Sequence, residues 1–331
     1  MEELYLRWPD MFRNMLESWG KVSLEVRPRS IVFCGMGGSG VVGDYVSMLA
    51  FHKPGYPPVI VVKDYELPLF VGRDDLVFIV SYSGNTIETI SCFNKTLKRG
   101  SKTVVITSNG FLLEKATEKN IPFVKVSENL LPRAALPEML TAALGVLDSS
   151  GLTLVSRNEI EDLIMFLRNN MDNITENAKI IAEDLYDRIP IIVVPNKYWG
   201  LGWRLKNEFN ENSKVPVKVE VIPEWGHNDI VGWERNGRYP WSALIVHDID
   251  DEALELLMNF AENYYKQLGL PTKVLRLHGE SYLQKLVYGT IVGGLASVYL
   301  ARMYRIDPST TKSIALYKNA VRKLSDLLSK S

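Results

Sequence analysis

Short apolar runs rich in valine and isoleucine recur through the first half of the chain: SIVFCG, PPVIVVKDY, DLVFIVSYS, KTVVITS and IPFVKVS. They lack the polar–apolar alternation of a half-exposed strand, and polar or helical segments separate them. Such runs are strands buried on both faces of a parallel sheet with helices packed above and below. The pattern restarts in the second half with IPIIVVPN, a helix WGLGWRLKNEFNENSK, strands PVKVEVI and SALIVHD, a helix DEALELLMNFAENYYKQLG and a strand TKVLRLHG. The fold class is therefore α/β, in two domains, each a mostly parallel sheet flanked by helices. A length of 331 residues agrees with two domains. The small polar cluster Ser149, Ser150 and Gly151 ends a helix and sets the expected boundary, giving domains 1–150 and 151–331, the latter including the closing C-terminal helix. Two separate helices, SRNEIEDLIMFLRNNM and TENAKIIAEDLYDR, are expected to follow that boundary.

With 38 basic against 39 acidic residues, the formal net charge is −1, which supplies no global attraction to nucleic acid or to an anionic membrane. An anionic ligand must then be held by local chemistry. No run of the sequence approaches the roughly 18 consecutive apolar residues of a membrane span. The acidic, amphipathic start MEELYLRWPDMFRNML has the character of neither a signal nor a transit peptide. Cys34 and Cys92 have no C-x-x-C or metal-ligand spacing, which points to a reducing compartment, and the expected location is the cytoplasm.

The stretch Ile31 to Val46 runs from an apolar strand through glycines into a helix, with Gly35, Gly37 and Gly40 spaced G-x-G-x-x-G. Helix N-termini present backbone N–H groups, and glycines let a phosphate approach them, so the spacing fits a dinucleotide or a phosphomonoester. Ser39 places a hydroxyl in the loop. The second strand ends in Lys63 and Asp64 rather than in a ribose-binding acid alone. The third runs into SYSGNT, Ser81 to Thr86, whose hydroxyls either cradle a phosphate beside the first loop or merely cap the next helix. Both loops sit at carboxyl ends of strands in one sheet, where open α/β sheets bind ligands, and the pair favours a sugar phosphate over a nicotinamide.

GMGGSG, DYELP and SYSGNTIET together resemble the sugar isomerase (SIS) domain. With LLPRAAL, NEFNENSKVP, EWGHNDIVGWE and DPSTTKSIALYK, nearly the whole chain is similar to the archaeal bifunctional phosphoglucose/phosphomannose isomerases, a family of two SIS domains acting as a homodimer with shared sites. The resemblance implies a hexose 6-phosphate substrate, a cis-enediol intermediate, and neither metal nor cofactor. It implies phosphate binding by Gly37, Gly38, Ser39, Ser81, Ser83 and Thr86. Glu211 matches the proton-transfer base, His227 the ring-opening histidine reaching in from the other subunit, and Lys318 the lysine that assists it. Arg133 matches the cation facing the enediolate, and Thr311 a small residue that makes room for both sugars.

Each of these has a plainer reading. Glu211 fits a solvated charged helix face; Glu208, one turn earlier, is such a residue or a neighbour in the site, and a loop histidine is often structural. Lys318 adjoins an apolar face of Ile314, Tyr317, Val321, Leu324 and Leu328, over which its stem could pack. Arg133 reads as a surface arginine before a helix, and Thr311 as a helix N-terminal residue. His278 ends a strand and is kept as a reserve candidate. The alternative function is a non-catalytic sugar-phosphate-binding SIS regulator.

Overall fold

The computed structural model describes residues 1–235, 240–248 and 250–321. It contains two compact units. The first comprises Arg7–Ile164 with the described residues from Thr311; the second comprises Met1–Leu6 with Met165–Thr310.

Along the chain, helices α1 (Glu2–Leu6) and α2 (Trp8–Met15) are followed by β1 (Ser30–Cys34), α3 (Gly37–Phe51), β2 (Val59–Val62) and β3 (Asp75–Val80). Then come α4 (Ile87–Arg99), β4 (Lys102–Thr107), α5 (Gly110–Glu118), β5 (Phe123–Lys125), α6 (Leu136–Ser149) and α7 (Arg157–Asp184). The first unit's sheet has the order β2-β1-β3-β4-β5 with every pairing parallel. Central strands β1 and β3 are buried along their whole length, as their unbroken apolar sequence requires. Phe33 and Phe78 stack between them with ring centroids 4.5 Å apart.

The second unit continues with β6 (Ile189–Pro195), α8 (Trp199–Glu208), β7 (Lys218–Ile222), β8 (Trp241–His247), α9 (Glu252–Gln267), β9 (Thr272–Arg276) and α10 (Tyr282–Met303). Its sheet is again all parallel, in the order β7-β6-β8-β9. A capping box starts α10: Ser281 Oγ accepts from the Gln284 N–H at 3.1 Å, and Gln284 Oε1 accepts from the Ser281 N–H at 3.4 Å. Among the described residues α10 is the one helix long and apolar enough to cross a membrane, and 89% of its apolar window is buried inside the structure. It is a core helix, with the Leu205 and Tyr5 side chains pressed against Gly293 and Gly294. The tail carries α11 (Lys312–Ala320).

The division between the units differs from the expected one at residue 150. Ser149, Ser150 and Gly151 do form a turn, but it is sewn into the first unit. The Ser23 hydroxyl donates to the Ser149 carbonyl at 2.7 Å, the Leu24 N–H to Ser150 Oγ at 3.0 Å, and the Tyr56 hydroxyl to the Leu152 carbonyl at 2.8 Å. The units part instead within α7, between Ile164 and Met165. The two helices expected there are one. Buried Ile160, Leu163, Ile164 and Leu167 are followed in phase by Ile174, Ala178 and Ile181, so the apolar stripe continues past the asparagines that look like a break.

Candidate active site

In the first unit β1 leads through α3 to β2 on one side, while β3 lies on its other side, so the loops after β1 and β3 diverge and leave a crevice at their carboxyl ends. Gly38 begins the wall of this crevice. A Cβ there would lie 2.9 Å from the Pro132 carbonyl oxygen and 3.1 Å from the Arg133 Cα, so the glycine loop presses on the backbone that carries Arg133. Gly84, in the SYSGNT loop, has φ +66° and would put a Cβ 1.8 Å from the Asn109 carbonyl oxygen; no other residue fits.

Hydroxyls tie the loops together. Ser39, expected at the loop tip, is buried, and its Oγ accepts from the Tyr82 N–H at 3.0 Å while lying 3.7 Å from Met139 Sδ. The Tyr82 hydroxyl donates to the Ser127 carbonyl at 2.8 Å and accepts from the Leu130 N–H at 2.7 Å, which fastens the segment leading to Arg133. Ser81 Oγ donates to Thr86 Oγ1 at 3.1 Å, and Ser83 Oγ accepts from the Asn85 N–H at 3.3 Å. Thr86 stands at the N-cap of α4, yet its side chain makes no capping bond. Capping therefore does not explain this hydroxyl. Arg133, read from sequence as a possible surface residue, is 4% exposed. Gly37, Gly38 and Ser39 thus follow β1, Ser81, Ser83 and Thr86 follow β3, and Arg133 lies on the segment packed against the first of these loops.

The acid after β2 does not reach out as a ribose ligand. Asp64 Oδ1 accepts from the Tyr65 N–H at 2.6 Å and closes its own turn, while Lys63 pairs with Asp44 of α3 at 2.5 Å. Burial pushes the Asp44 carboxyl up, against the pull of Lys63.

Glu211 belongs to the second unit, in a π-helical turn over Phe209–Ser213 that extends α8. Such turns widen a helix by one residue and are frequent at functional sites. The turn is held from inside by a network that sequence reading missed. Glu208 is buried, not solvated: it pairs with Arg204, accepts from the Tyr5 hydroxyl at 2.5 Å and accepts from Asn212 Nδ2 at 3.0 Å. Asn212 also donates to Ser297 Oγ of α10 at 2.9 Å. Burial, with the Glu208 charge, drives the Tyr5 phenol well above its ordinary range. The i,i+4 pairing of Arg204 with Glu208 was visible in the sequence, but the same pattern marks exposed helix faces.

His227 ends a short 3₁₀ segment, Glu224–His227, and is exposed. Its loop is anchored by neighbours on either side. Buried Trp225 donates from Nε1 to the Tyr265 hydroxyl at 3.0 Å, and Tyr265 bonds in turn to Glu220. Trp233 Nε1 donates to Glu220 at 3.0 Å, and Lys218 bridges Glu220 and Asp229. Glu220, fully buried on β7, is the hub of this clamp. His278 packs its ring against Tyr288 at 5.1 Å, and His247 is buried, which lowers its pKa.

Thr311 is the N-cap residue of α11, and its side chain makes no capping bond. Lys318 is exposed on that helix, as are Ile314 and Tyr317 of the expected apolar face and Leu316 beside them, while Val321 is half-buried. Leu324 and Leu328 of that face lie outside the described residues.

Comparison with known proteins accounts for both halves. The SIS domain family model matches residues 26–118, and the bacterial phospho-glucose isomerase C-terminal SIS domain matches residues 174–321. The fold is thus two SIS domains. The chain is 35% identical over 327 residues to the bifunctional phosphoglucose/phosphomannose isomerase of Aquifex aeolicus, covering 98% of this chain and 99% of that one. It is 40% identical over 304 residues to the protein of the same description from Pyrobaculum calidifontis, covering 90% and 91%. A D-glucosamine-6-phosphate 4-epimerase from Sulfolobus acidocaldarius is 27% identical over 326 residues, covering 98% and 99%. Among solved structures, a hypothetical protein from Thermus thermophilus aligns with TM-score 0.71 at 17% identity over 96% of this chain and 89% of that one. The C-terminal domain of glucosamine-fructose-6-phosphate aminotransferase from Francisella tularensis aligns with TM-score 0.70 at 14% identity, covering 93% and 96%. At those identities the structures speak for the fold alone.

Proposed function

The chain belongs to the family of bifunctional phosphoglucose/phosphomannose isomerases, and from that membership we propose that it interconverts glucose 6-phosphate and mannose 6-phosphate with fructose 6-phosphate, in the cytoplasm and without metal or cofactor. It is an aldose–ketose isomerase. The observation that carries the substrate class is the first unit's strand-end crevice, where two serine loops and the Arg133 segment are drawn together.

In this reading the hydroxyls and backbone N–H groups of the loops hold the 6-phosphate. His227 and Lys318 open the sugar ring. Glu211 removes the proton at C2, leaving a cis-enediol, and returns it to C1 of the ketose. Arg133 faces the charge that develops on the enediolate. Both aldoses differ only at C2 and lose that difference in the enediol, so one base serves both if the C2–C3 bond can rotate. Thr311 leaves room for that rotation; its hydroxyl is not spent on capping α11, which supports the assignment.

The uncovered apolar residues of α11 support a homodimer in which a second copy covers them and His227 serves the partner's site. Mixing Glu211→Gln and His227→Ala subunits should then restore activity, and failure despite demonstrated subunit exchange would put both residues in one chain's site. The primary test is incubation with fructose 6-phosphate, with and without chelator, followed by product identification. Glucose 6-phosphate and mannose 6-phosphate are expected in both cases. No turnover favours a regulator, loss with chelator overturns the metal-free mechanism, and C4 inversion as the main activity in a parallel incubation with glucosamine 6-phosphate favours the activity named for the Sulfolobus relative.

A further inference from the structure

Lys214 closes the π turn that carries Glu211, and it does so in the left-handed region, with φ +59° and ψ +28°. That position favours glycine, because a Cβ crowds the backbone there. A lysine held in such a conformation calls for a use of its side chain. Its Nζ donates to the Glu211 carbonyl at 2.5 Å and lies 3.4 Å from the Asn212 carbonyl, both on the π turn. It also donates to the Thr310 carbonyl at 2.7 Å and approaches the Asp307 carbonyl at 3.3 Å. A nest of carbonyl oxygens from two chain segments is the surrounding a monovalent cation takes, and here a tethered ammonium occupies it. The second segment is itself shaped for the purpose. Asp307 Oδ1 accepts from the Ser309 N–H at 2.8 Å and from its hydroxyl at 2.7 Å, folding the turn so that the carbonyls of Asp307 and Thr310 converge.

The geometry points to Lys214 as a positioning residue: an internal cation that fixes the backbone of Glu211 to that of Thr310, the residue immediately before Thr311. Proton transfer and sugar selectivity are then set by one tie, since the base and the residue that leaves room for C2–C3 rotation both hang from it. The inference rests on the roles given above to Glu211 and Thr311.

Two substitutions separate side chain from backbone. Lys214→Met removes the ammonium and keeps the stem; Lys214→Gly removes the ammonium while relieving the left-handed conformation. Both should lower kcat at least about tenfold on both aldose phosphates with KM nearly unchanged, and both should shift the mannose-to-glucose turnover ratio. Because Lys214 is exposed, ammonium or methylammonium ions should reach the nest in Lys214→Gly and restore kcat severalfold, while tetramethylammonium, which cannot donate, should not. Amide hydrogen exchange should rise together in residues 209–214 and 306–311 of Lys214→Met. Wild-type kcat and sugar ratio in both variants would overturn the inference. So would a kcat loss without amine rescue accompanied by faster exchange in the π turn alone. Glu211→Gln assayed alongside keeps the two readings apart: if it abolishes turnover while the Lys214 variants are intact, only the positioning role fails. If Glu211→Gln stays active, the base assignment fails and the catalytic part of this inference with it.

Discussion

The two sheets share a strand order, β2-β1-β3-β4 in the first unit and β7-β6-β8-β9 in the second, yet their strand-end crevices hold opposite chemistry. After β1 and β3 the first unit places glycines and hydroxyls. After β6 and β8 the second places Lys197, Tyr198 and Asp248. Asp248 accepts from Lys285 Nζ at 2.5 Å, from the Tyr198 hydroxyl at 2.7 Å and from Lys197 Nζ at 3.2 Å, and Lys285 also pairs with Asp250. A carboxylate of the chain itself thus stands among cations at the position where the first unit's loops are open to a phosphate. Topology makes a crevice at both switch points; side chains decide whether it takes a ligand. In the proposed reading the second unit's part in the reaction lies elsewhere, with Glu211 on its π turn and His227 at the end of the 3₁₀ segment.

The largest effect should come from the acid–base half of that contrast. Glu211→Gln keeps shape but removes basicity, and kcat should fall by about 10² to 10⁴ with binding retained. Exchange of the C2 hydrogen with solvent deuterium, followed by NMR, should be lost in parallel. A variant that keeps both takes Glu211 out of the reaction.

Asp248→Ala empties the filled crevice. Asp248 is fully buried and Lys285 nearly so; leaving the lysines short of their partner should cost about 3 kcal/mol in urea unfolding. Millimolar inorganic phosphate should raise the melting temperature of this variant more than that of the wild type, because an anion again has cations to meet. Equal shifts in both proteins would mean that the two crevices are not counterparts.

On the open side, Ser83→Ala with Thr86→Ala removes charge-assisted bonds worth about 1.5 to 3 kcal/mol each, less what water restores. KM for fructose 6-phosphate should rise at least about tenfold while kcat changes little. Unaltered saturation would move the phosphate to another place. A narrower change follows from Thr311→Gln, which should cut mannose 6-phosphate turnover by about tenfold and largely spare glucose 6-phosphate, the size of a modest steric penalty. Equal losses on both sugars would count against the room argument.

The smallest effect is on pH dependence. Burial pushes the Asp248 carboxyl up, but hydrogen bonds from Lys285 and Tyr198 and the nearness of Lys197 outweigh it and hold the pKa at about 2, below the ordinary 3.8. A depressed folded-state pKa contributes stability that is present above the ordinary value and is lost as pH falls through the folded one. Between pH 3.8 and about 2 the wild type should therefore lose on the order of 1 kcal/mol, after solvent screening, that Asp248→Asn does not lose. Parallel stability curves for the two proteins over that range would remove Asp248 as the source.

Much of this was written in the sequence. Unbroken Val/Ile runs such as SIVFC and DLVFIV can satisfy their backbone and hide both faces only inside a parallel sheet, so local composition alone dictated the two α/β layers. The glycines of GMGGSG and SYSGNT, with their hydroxyls, pointed to one candidate site because both stood at strand ends. What sequence spacing could not decide was which polar groups go inside. Glu208 fits a solvated helix face until Tyr5, remote in the chain, and Asn212, one turn on, close over it. Nothing in the sequence around Glu220 shows that Tyr265 and Trp233 will bond to it. Lys214 gains meaning only when the Asp307–Thr310 turn is brought to its ammonium. The division of the chain belongs to the same class, since Ser149 and Ser150 read as a domain boundary but bond back to residues 23 and 24. Periodicity reports the faces that neighbouring residues share; the partner of a buried charge is fixed by whichever distant segment the folded chain lays against it.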